Sequence, residues 1–471
     1  MPPFKAIIVG GGPVGLAMGH ALALAGLDFV ILERAPRVAE RGTGASLALW
    51  PHSARVLDQF GLLDEARAMA VIMRNKRNHG PDGRELSRNN MFEVVEQNHG
   101  HPWMLFSRSA LLDLLARRLP GAAARIKTGK TVVRIESDQA AVAVHCADGS
   151  VERGSIVIGC DGVHSRVRSL MDELAAARRK EPQPQPQPQR SPMRSSYQAL
   201  VGYAPRPAGL EPATVYEARC GAGSSFHVLT GPTEAYFFAY HRLAAPTTER
   251  RRYGDTETAA LAEKMRDGHI TEDVRFGHLW DQRTWSVLTD LQEGNSRTWW
   301  YERVVLVGDA VHKMTPNAGF SMNTGWQGVV ELTNRLRTVV RRCEGKEHGE
   351  AEGPTVEELA QEVFSPYQRG REAVAKHNLF CSGVYTRVSA WQNWVLRLAD
   401  WVAPYLGGDV LLLNMLASPM VRKGITLDFI EERNHRTGKM PWRNKPVVLD
   451  EKTGLRDAME ETMCAVTEIQ V

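Results

Sequence analysis

The sequence predicts an α/β fold: a parallel sheet flanked by helices, an antiparallel sheet interleaved with it along the chain, and a C-terminal helical segment. Three patterns lead to this prediction. The first 33 residues contain two apolar runs separated by a glycine turn and an Ala/Leu-rich stretch, residues 197–286 alternate short apolar and aromatic runs with turns, and residues 346–445 carry mainly helical patterns. The first pattern is typical of a βαβ unit and the second of antiparallel strands.

The parallel sheet begins at the N-terminus. Residues 6–9 and 29–32 are apolar and predict strands, and residues 14–25 between them predict a helix that follows three glycines. Further strands are expected at residues 131–135, 141–146, 155–159 and 304–307, with a long helix over about 323–342.

The predicted sections alternate along the chain. A Pro-Gln alternation at residues 181–192 forbids a helix and predicts a disordered loop. We assign residues 1–75, 105–175 and 296–345 to the dinucleotide-binding domain, and residues 76–104 and 197–295 to the antiparallel substrate domain. The loop is assigned to residues 176–196, the helical region to residues 346–445 and a polar tail to residues 446–471.

Composition excludes several classes of function. The 471 residues carry a net charge of +4 without a sustained basic stretch, so we expect no nucleic-acid partner. Six cysteines lie far apart without CxxC spacing, which indicates neither a disulfide framework nor a metal site. The histidines also lack metal-ligand spacing, so no metal is expected. A strand begins within a few residues of the N-terminus, which leaves no signal-peptide pattern and predicts a cytoplasmic protein.

A GxGxxG motif carries the first functional signal. Gly10, Gly12 and Gly15 follow a predicted strand and open a predicted helix. Such glycines permit a tight turn and let the backbone approach a pyrophosphate at the helix N-terminus. Glu33 ends the next strand, where an acid that binds a ribose hydroxyl is expected. The motif predicts a dinucleotide site without saying which dinucleotide binds.

Two further motifs distinguish the cofactor. Asp161 and Gly162 follow the strand predicted at residues 155–159, and Gly308 and Asp309 follow the strand at 304–307. In order and spacing the three motifs resemble those of the class A flavin monooxygenases built on the para-hydroxybenzoate hydroxylase plan. The resemblance implies FAD as the cofactor, with Asp161 serving both FAD and NAD(P)H and Asp309 holding the ribityl chain.

Other residues resemble one branch of that family, the fungal secondary-metabolite epoxidases and hydroxylases of indole-diterpene and meroterpenoid pathways. They are Gly44-Ala45-Ser46, Trp50-Pro51, Val56-Leu57-Asp58-Gln59, Arg108 with Leu111 and Leu115, and His312-Lys313-Met314-Thr315-Pro316. The resemblance makes Gly44, Arg108, Gly319 and Met322 flavin-binding positions. It also places Tyr216 in the active site, where this tyrosine would orient substrate or relay a proton; simple packing is the alternative.

The chain departs from the family pattern at three positions beside the expected isoalloxazine. Ala48 stands where a glycine is usual, and Ser321 and Met322 replace smaller residues. We expect FAD to bind through backbone contacts that include Ala48 and Met322, while the side that meets substrate is altered.

The resemblance implies an NAD(P)H-dependent monooxygenase that uses O₂ and a flavin C4a-hydroperoxide to epoxidise or hydroxylate a terpenoid, meroterpenoid or indole-containing metabolite. A flavin dehydrogenase or oxidase without oxygen insertion, and a phenol hydroxylase, remain alternatives. A halogenase is disfavoured because no WxWxIP motif occurs, and a non-enzymatic scaffold because Gly308-Asp309 is intact. Aromatic residues of the antiparallel sheet would shield the site from water: Phe226, Tyr236, Phe237, Phe238 and Tyr240. His312 invites a general-base role but is expected to be structural.

The C-terminal region is rich in tryptophan. Trp391, Trp394 and Leu398 would share one face of a helix, which allows either packing on the FAD domain, the favoured interpretation, or peripheral contact with a membrane. Arg397, Asp400, Pro404 and Asp409 interrupt every apolar run, so no segment should span a bilayer. Oligomeric state is not predicted.

Overall fold

The computed structural model describes residues 4–39, 44–178, 193–221, 223–345 and 353–447. The strands are β1 (Lys5–Val9), β2 (Asp28–Leu32), β3 (Ser46–Leu49), β4 (Val71–Ile72), β5 (Asn75–His79), β6 (Glu85–Asn89), β7 (Met104–Ser107), β8 (Ile126–Lys127), β9 (Val132–Ser137), β10 (Val142–Cys146), β11 (Val151–Gly154), β12 (Ile156–Gly159), β13 (Arg194–Pro205), β14 (Thr214–Gly221), β15 (Ser224–Thr230), β16 (Glu234–Thr247), β17 (Trp285–Asn295), β18 (Trp300–Tyr301), β19 (Val304–Leu306) and β20 (His312–Lys313).

The α-helices are α1 (Pro13–Leu24), α2 (Pro51–Gln59), α3 (Leu63–Met69), α4 (Met91–His99), α5 (Arg108–Arg117), α6 (Ala122–Arg125), α7 (Arg166–Ala177), α8 (Asp255–Met265), α9 (Phe276–Asp281), α10 (Phe320–Glu344), α11 (Val356–Glu358), α12 (Ser365–Ser389), α13 (Trp394–Val402), α14 (Gly408–Leu412) and α15 (Ser418–Val421). Short 3₁₀ turns lie at Gly308–Ala310, Pro316–Ala318 and Ala403–Leu406, and π-turns at Leu359–Phe364 and Leu413–Ala417.

A six-stranded sheet forms the first layer, in the order β18-β19-β12-β1-β2-β8. β12, β1, β2 and β19 run parallel, and only β18 pairs antiparallel to its neighbour. The central strands β1, β2, β12 and β19 are apolar on both faces because helices cover the sheet, as parallel sheets require. α1 and α10 pack together there, and the Trp326 indole N–H donates to the Pro13 carbonyl at 3.0 Å.

An eight-stranded sheet forms the second layer, in the order β20-β17-β13-β16-β15-β14-β5-β6. Its pairs are antiparallel except for β14 with β5. One face packs toward the first layer through residues such as Val215, Phe238 and Tyr240, and the other face packs beneath α8 and α9. The predicted antiparallel section thus also contains two helices that the sequence patterns did not indicate.

The C-terminal region joins the two layers. α12 contacts α10 and β17, and the segment from α13 to α15 then turns over the gap between the layers. Residues 424–444 return to the first layer, where the buried Arg55 guanidinium donates to both carboxylate oxygens of Glu432 at 2.8 and 2.6 Å.

Two expectations about this region need correction. Trp391 precedes α13 with a positive φ of 45°, and its indole N–H donates to Asp400 at 2.7 Å, so it does not share a helical face with Trp394. The segment also packs beside the antiparallel sheet and over the gap, rather than on the FAD domain. In the described part of the chain, no helix is long and apolar enough to cross a membrane. The Pro-Gln alternation at residues 181–192 and most of the polar tail lie outside the described residues.

Candidate flavin and substrate site

A single connected cavity of about 1470 Å³ lies between the two layers. One end is lined by the glycine turn after β1, and the other reaches the antiparallel sheet and the segment from α13 to α15. Sites for one small ligand usually measure about 300–1,000 Å³. The cavity therefore has room for a dinucleotide and a second molecule.

The glycine turn shapes one end of the cavity. A Cβ at Gly15 would overlap the Gly10 carbonyl oxygen. The glycine turn can therefore lie this close to α1 only because residue 15 has no side chain. A Cβ at Gly12 would meet no atom within 4 Å, because this residue faces the open cavity. The turn thus offers exposed backbone at the N-terminus of α1, which is the arrangement that suits a pyrophosphate.

Glu33 lines the same end of the cavity. Its Oε2 accepts from the Gly11 backbone N–H at 2.6 Å, and its Oε1 accepts from the Ala35 N–H at 2.7 Å. Each carboxylate oxygen has a second lone pair. The carboxylate is therefore fixed in orientation and can still accept from a ribose hydroxyl.

Asp309 lies in the 3₁₀ turn after β19 and faces the cavity. Lys313 and Ser321 both donate to its carboxylate. Burial alone would raise the pKa of Asp309, but the charge and hydrogen bond of Lys313 together with the Ser321 hydrogen bond hold this pKa below its ordinary value. Asp309 is thus an ionised acceptor at neutral pH, which suits a hydroxyl-bearing chain.

The Asp161 carboxylate serves the protein itself. Its oxygens accept from the Ser165 hydroxyl at 2.5 Å and from the Arg166 and Val167 backbone N–H groups at 2.7 and 3.0 Å, at the start of α7. Burial raises its pKa. The carboxylate therefore shapes the loop after β12, and residues of that loop line the cavity.

Arg168 connects the two loops, a role that sequence reasoning missed. Its guanidinium donates to the Ala310 carbonyl at 2.6 Å and to the Val163 carbonyl at 2.9 Å. The position of Arg168, seven residues after Asp161 on α7, gave no signal in a single sequence.

Four other predicted cofactor positions meet where the two ends of the cavity join. Gly44 packs against Arg108, since a Cβ at Gly44 would lie 2.8 Å from the Arg108 Cδ. Gly319 has φ +65° and packs against Ala48, where a Cβ at Gly319 would lie 2.8 Å from the Ala48 Cβ. Ala48, Arg108 and Gly319 all line the cavity.

α10 begins at this junction. Met322 lies in its first turn and lines the cavity. Asn323 fixes the helix start, because its side-chain N–H groups donate to the Ala48 and Gly319 carbonyls at 2.8 and 2.7 Å and its oxygen accepts from the Trp50 N–H at 2.9 Å. The positive end of a 25-residue helix therefore faces the cavity. The set fits a flavin dinucleotide: an open glycine turn, two fixed carboxylates and a helix N-terminus.

The structure does not bring Tyr216 to this site. Its side chain is fully buried on the outer face of β14, among residues beneath α8 and α9, and its hydroxyl accepts from the Glu211 N–H at 2.7 Å. Neighbouring residues of the same strand, Val215 and Arg219, line the cavity instead. The position of Tyr216 therefore contradicts a catalytic contact and supports the packing alternative.

The aromatic residues that were predicted to shield the site from water lie on both faces of the antiparallel sheet, because side chains alternate between the faces along each strand. Phe238 and Tyr240 line the cavity, whereas Phe226 and Phe237 belong to the outer core. Tyr236 lies on the inner face without reaching the cavity wall. His312 is buried against Trp299 and does not line the cavity, which supports the structural interpretation.

A buried polar network forms the wall at the substrate end, and sequence reasoning missed it. Lys76 Nζ contacts Glu217 Oε2 at 2.8 Å and Asp409 Oδ1 at 2.7 Å. Arg219 pairs with both Asp400 oxygens at 2.9 and 2.8 Å. Burial would raise the pKa of Glu217, but Lys76 and Arg219 hold it well below its ordinary value. The network fastens α13 and α14 to the sheet.

Comparisons with known proteins agree with this arrangement. The family model described as FAD binding domain matches residues 4–348. The chain is similar to the FAD-dependent monooxygenase srdH of Neurospora crassa, with 35% identity over 94% of this chain and 100% of that protein. It is 30% identical to the FAD-dependent monooxygenase nvfK of Aspergillus novofumigatus, over 92% of this chain and 90% of that protein.

The fold is also similar to a solved structure. Klebsiella pneumoniae HpxO, complexed with FAD and uric acid, superimposes with a TM-score of 0.68 at 19% identity, over 89% of this chain and 96% of that chain. This likeness concerns the fold, whereas the family model and the sequence relatives show the family and the FAD cofactor. The chain belongs to the FAD-binding domain family and is an FAD-dependent monooxygenase of the kind found in fungal secondary metabolism.

Proposed function

We propose that the protein uses NAD(P)H and O₂ to epoxidise or hydroxylate an apolar secondary metabolite of the terpenoid, meroterpenoid or indole-containing class. The observation that carries the proposal is the cavity itself, which joins the glycine turn and Asp309 to a mainly apolar chamber. The chamber is lined by Met91, Phe92, Trp103, Leu105, Val215, Leu229, Phe238, Met314 and Leu413.

Gly10, Gly12, Gly15 and Glu33 would hold the ADP part of FAD, and Asp309 the ribityl chain. Gly44, Ala48, Arg108, Gly319 and Met322 would surround the ring system, and the Asp161 loop would contact the cofactor through its backbone. When bound, FAD supplies the redox chemistry that activates dioxygen. The N-terminus of α10 favours negative charge at the ring edge that it faces.

Basic side chains at the ADP end support docking of NAD(P)H. Arg34, Lys130, Arg166 and Arg250 line the cavity there. Burial and, to a lesser extent, the charge of Arg250 lower the pKa of the adjacent His164 to about 4, so this histidine is neutral near pH 7. A basic rim attracts the phosphates of a dinucleotide.

The charges at the substrate end favour attack on a double bond over phenol hydroxylation. A phenol usually needs a base to remove its proton, whereas an alkene does not. Asp400 and Asp409 both line the chamber, and both are paired with cations. Aromatic walls exclude water and so protect a reactive oxygen species.

The test has two steps. The holoenzyme is first mixed anaerobically with NADPH, and the flavin bands should bleach and return in air. It is then turned over with NADPH and ¹⁸O₂ on a panel of terpenes, prenylated aromatics and indoles, with the Asp309→Ala variant as a flavin-poor control. A product that gains one ¹⁸O atom supports the proposal, whereas a product that loses two hydrogens without label indicates a dehydrogenase or oxidase.

We also propose that the outer face of residues 394–416 rests on a membrane surface. Ten of the seventeen exposed large apolar side chains among the described residues lie in residues 394–416, and eight of the ten do not line the cavity. Trp394, Trp401 and Tyr405 are 75, 61 and 79% exposed. From residue 398 to residue 421 the only charged side chains are Asp400 and Asp409, and both turn inward. Tryptophan and tyrosine favour the lipid–water interface.

Sedimentation with phosphatidylcholine–phosphatidylserine vesicles tests this contact. The triple variant Trp394→Ser/Trp401→Ser/Tyr405→Ser should remain in the supernatant, while wild type and the control Val151→Ser/Val287→Ser should pellet. Light scattering without vesicles tests the alternative, in which the face binds a second copy of the chain. If wild type is a dimer that does not bind vesicles, and only the triple variant is a monomer, the face is a dimer interface.

A further inference from the structure

The substrate chamber contains polar atoms that the protein itself leaves unpaired. Tyr240 lies on β16 and His227 on β15; both line the chamber, and both are more than nine-tenths buried. The Tyr240 hydroxyl and the His227 Nδ1 have no hydrogen-bond partner among the described residues. Buried polar atoms in folded proteins are nearly always paired, so two unpaired atoms in one chamber indicate a missing partner.

The neighbouring network does not supply that partner. Both Glu217 carboxylate oxygens are already engaged: Oε1 accepts from Ser389, and Oε2 accepts from Tyr385 at 2.8 Å and contacts Lys76. Lys76 also contacts Asp409, and Arg219 is held by Asp400. The network is satisfied within itself, whereas Tyr240 and His227 beside it are not.

We infer that Tyr240 and His227 form a hydrogen-bonding subsite for an uncharged oxygen atom of the substrate, such as a carbonyl or hydroxyl group, in an otherwise apolar chamber. This inference rests on the proposed function, because it assigns the chamber to the substrate. The tyrosine hydroxyl donates to such an oxygen, and the imidazole either donates to it or accepts from its hydroxyl. A bare hydrocarbon would leave both groups unpaired.

Charge and packing limit the ligand further. Two cations, Lys76 and Arg219, face three carboxylates in the adjoining wall, and the surplus negative charge repels an anion. Burial raises the pKa of Tyr240 well above its ordinary value and lowers that of His227 to about 4, so both are neutral near pH 7. Phe238 packs against both rings, with centroid distances of 6.2 Å to Tyr240 and 6.3 Å to His227, which holds the two groups in place.

Tyr216 provides a matched control. It lies in the same sheet and is as deeply buried as Tyr240, but it faces the outer core and its hydroxyl is already paired. Removal of either hydroxyl takes one oxygen atom from a buried tyrosine. Only the Tyr240 hydroxyl faces the chamber, so only Tyr240→Phe should alter the choice between ligands.

The test measures the binding of three probes, farnesal, farnesene and farnesoate, to the oxidised holoenzyme without reductant. Binding is detected as a change in the flavin spectrum and in tryptophan fluorescence. Wild type should bind farnesal about tenfold more tightly than farnesene, and farnesoate should bind more weakly than farnesal. Tyr240→Phe should abolish the preference for farnesal over farnesene, while Tyr216→Phe should keep it.

A preference that survives in both Tyr240→Phe and His227→Leu would overturn the subsite. So would equal binding of farnesal and farnesene by wild type, tighter binding of the anion, or no saturable binding of any probe. Because these titrations involve no turnover, they are independent of oxygen insertion. A holoenzyme that shows the expected preference but inserts no ¹⁸O would refute the proposed function and leave the subsite standing.

Discussion

Asp309 and Lys313 form an ion pair in the wall of the cavity, and the carboxylate also accepts from Ser321. Asp309→Ala removes the acceptor proposed for the ribityl chain and leaves the Lys313 ammonium without its partner. Because a lost charge-assisted hydrogen bond costs about 1.5–3 kcal/mol, we expect FAD affinity to fall at least about tenfold.

The ratio of flavin to protein absorbance after purification measures this loss. Asp281→Ala is the control, because Asp281 pairs with Arg266 on the exposed surface away from the cavity. A variant at position 309 that retains its full flavin content would remove Asp309 from the cofactor site.

Gly319 carries a second residue-scale prediction. Its φ of +65° costs a non-glycine residue about 1–2 kcal/mol, and an added Cβ would lie 2.8 Å from that of Ala48. Gly319→Ala should therefore lower both thermal stability and flavin content. In the double variant Ala48→Gly/Gly319→Ala the overlap disappears while the backbone strain stays, so recovery should be partial. Equal loss in the single and double variants would show that Ala48 and Gly319 do not interact.

Residues that line the glycine-turn end of the cavity were easier to predict from sequence than residues that line the opposite end. The glycine turn and Glu33 lie within one βαβ unit, so local spacing places them together. The wall of the chamber depends on contacts such as Lys76–Asp409 and Arg219–Asp400, which join residues 333 and 181 positions apart. No local pattern encodes such pairs.

At the scale of elements, strand register explains the error at Tyr216. Side chains alternate between the faces of a strand, so a shift of one residue exchanges the cavity face for the outer core. β14 is buried on both faces, because α8 and α9 cover the outer one. Along β14 the polar Glu217 and Arg219 alternate with the apolar Tyr216 and Ala218, but all four are buried, so the alternation separates the two faces without showing which one meets the cavity. The two helices that cover the outer face were themselves not predicted.

The ion pair between Arg219 and Asp400 carries an element-scale prediction. It joins β14 to α13, with side chains 5 and 10% exposed. Asp400→Ala leaves a buried guanidinium and the Trp391 indole N–H without their acceptor. Removal of one partner from a buried pair typically costs about 3–5 kcal/mol, so α13 should loosen from the sheet while Asp409 still holds α14.

Limited proteolysis of the holoenzyme measures that loosening as faster cleavage within α13. Glu173→Ala is the control, since Glu173 forms an exposed pair with Arg166 and exposed pairs contribute about 0–1 kcal/mol. Unchanged cleavage in Asp400→Ala would mean that apolar contacts alone hold α13.

For the whole molecule, buried histidines predict acid sensitivity. Burial is the main cause that lowers the pKa of seven of them to about 3 or 4: His20, His52, His79, His99, His101, His227 and His312. The unfolded chain takes up these protons near pH 6.5, while the folded protein resists them down to about pH 4. The contribution of these histidines to the free energy of unfolding is therefore fully present above pH 6.5, and it is lost as the pH is lowered from 6.5 to about 4.

Proton uptake by the unfolded chain therefore acts against a total stability that is typically only about 5–15 kcal/mol. Calorimetry of the holoenzyme at pH 7.5, 6.5 and 5.5 should show Tm decreasing steeply. His99→Phe, which keeps a ring against Trp442, should flatten the decrease. A Tm that stays constant down to pH 5 would contradict this account.

The interleaved sheets have a consequence for synthesis on the ribosome. β12 pairs with β1 on one side and with β19 on the other, and Val157 lies opposite Val304 in that second pair. The apolar edge of β12 therefore remains unpaired until nearly 150 further residues have been translated. Strand edges of this kind recruit chaperones or aggregate during synthesis. Slower elongation across the antiparallel section would prolong that exposure, so the yield of folded protein should depend on translation rate there.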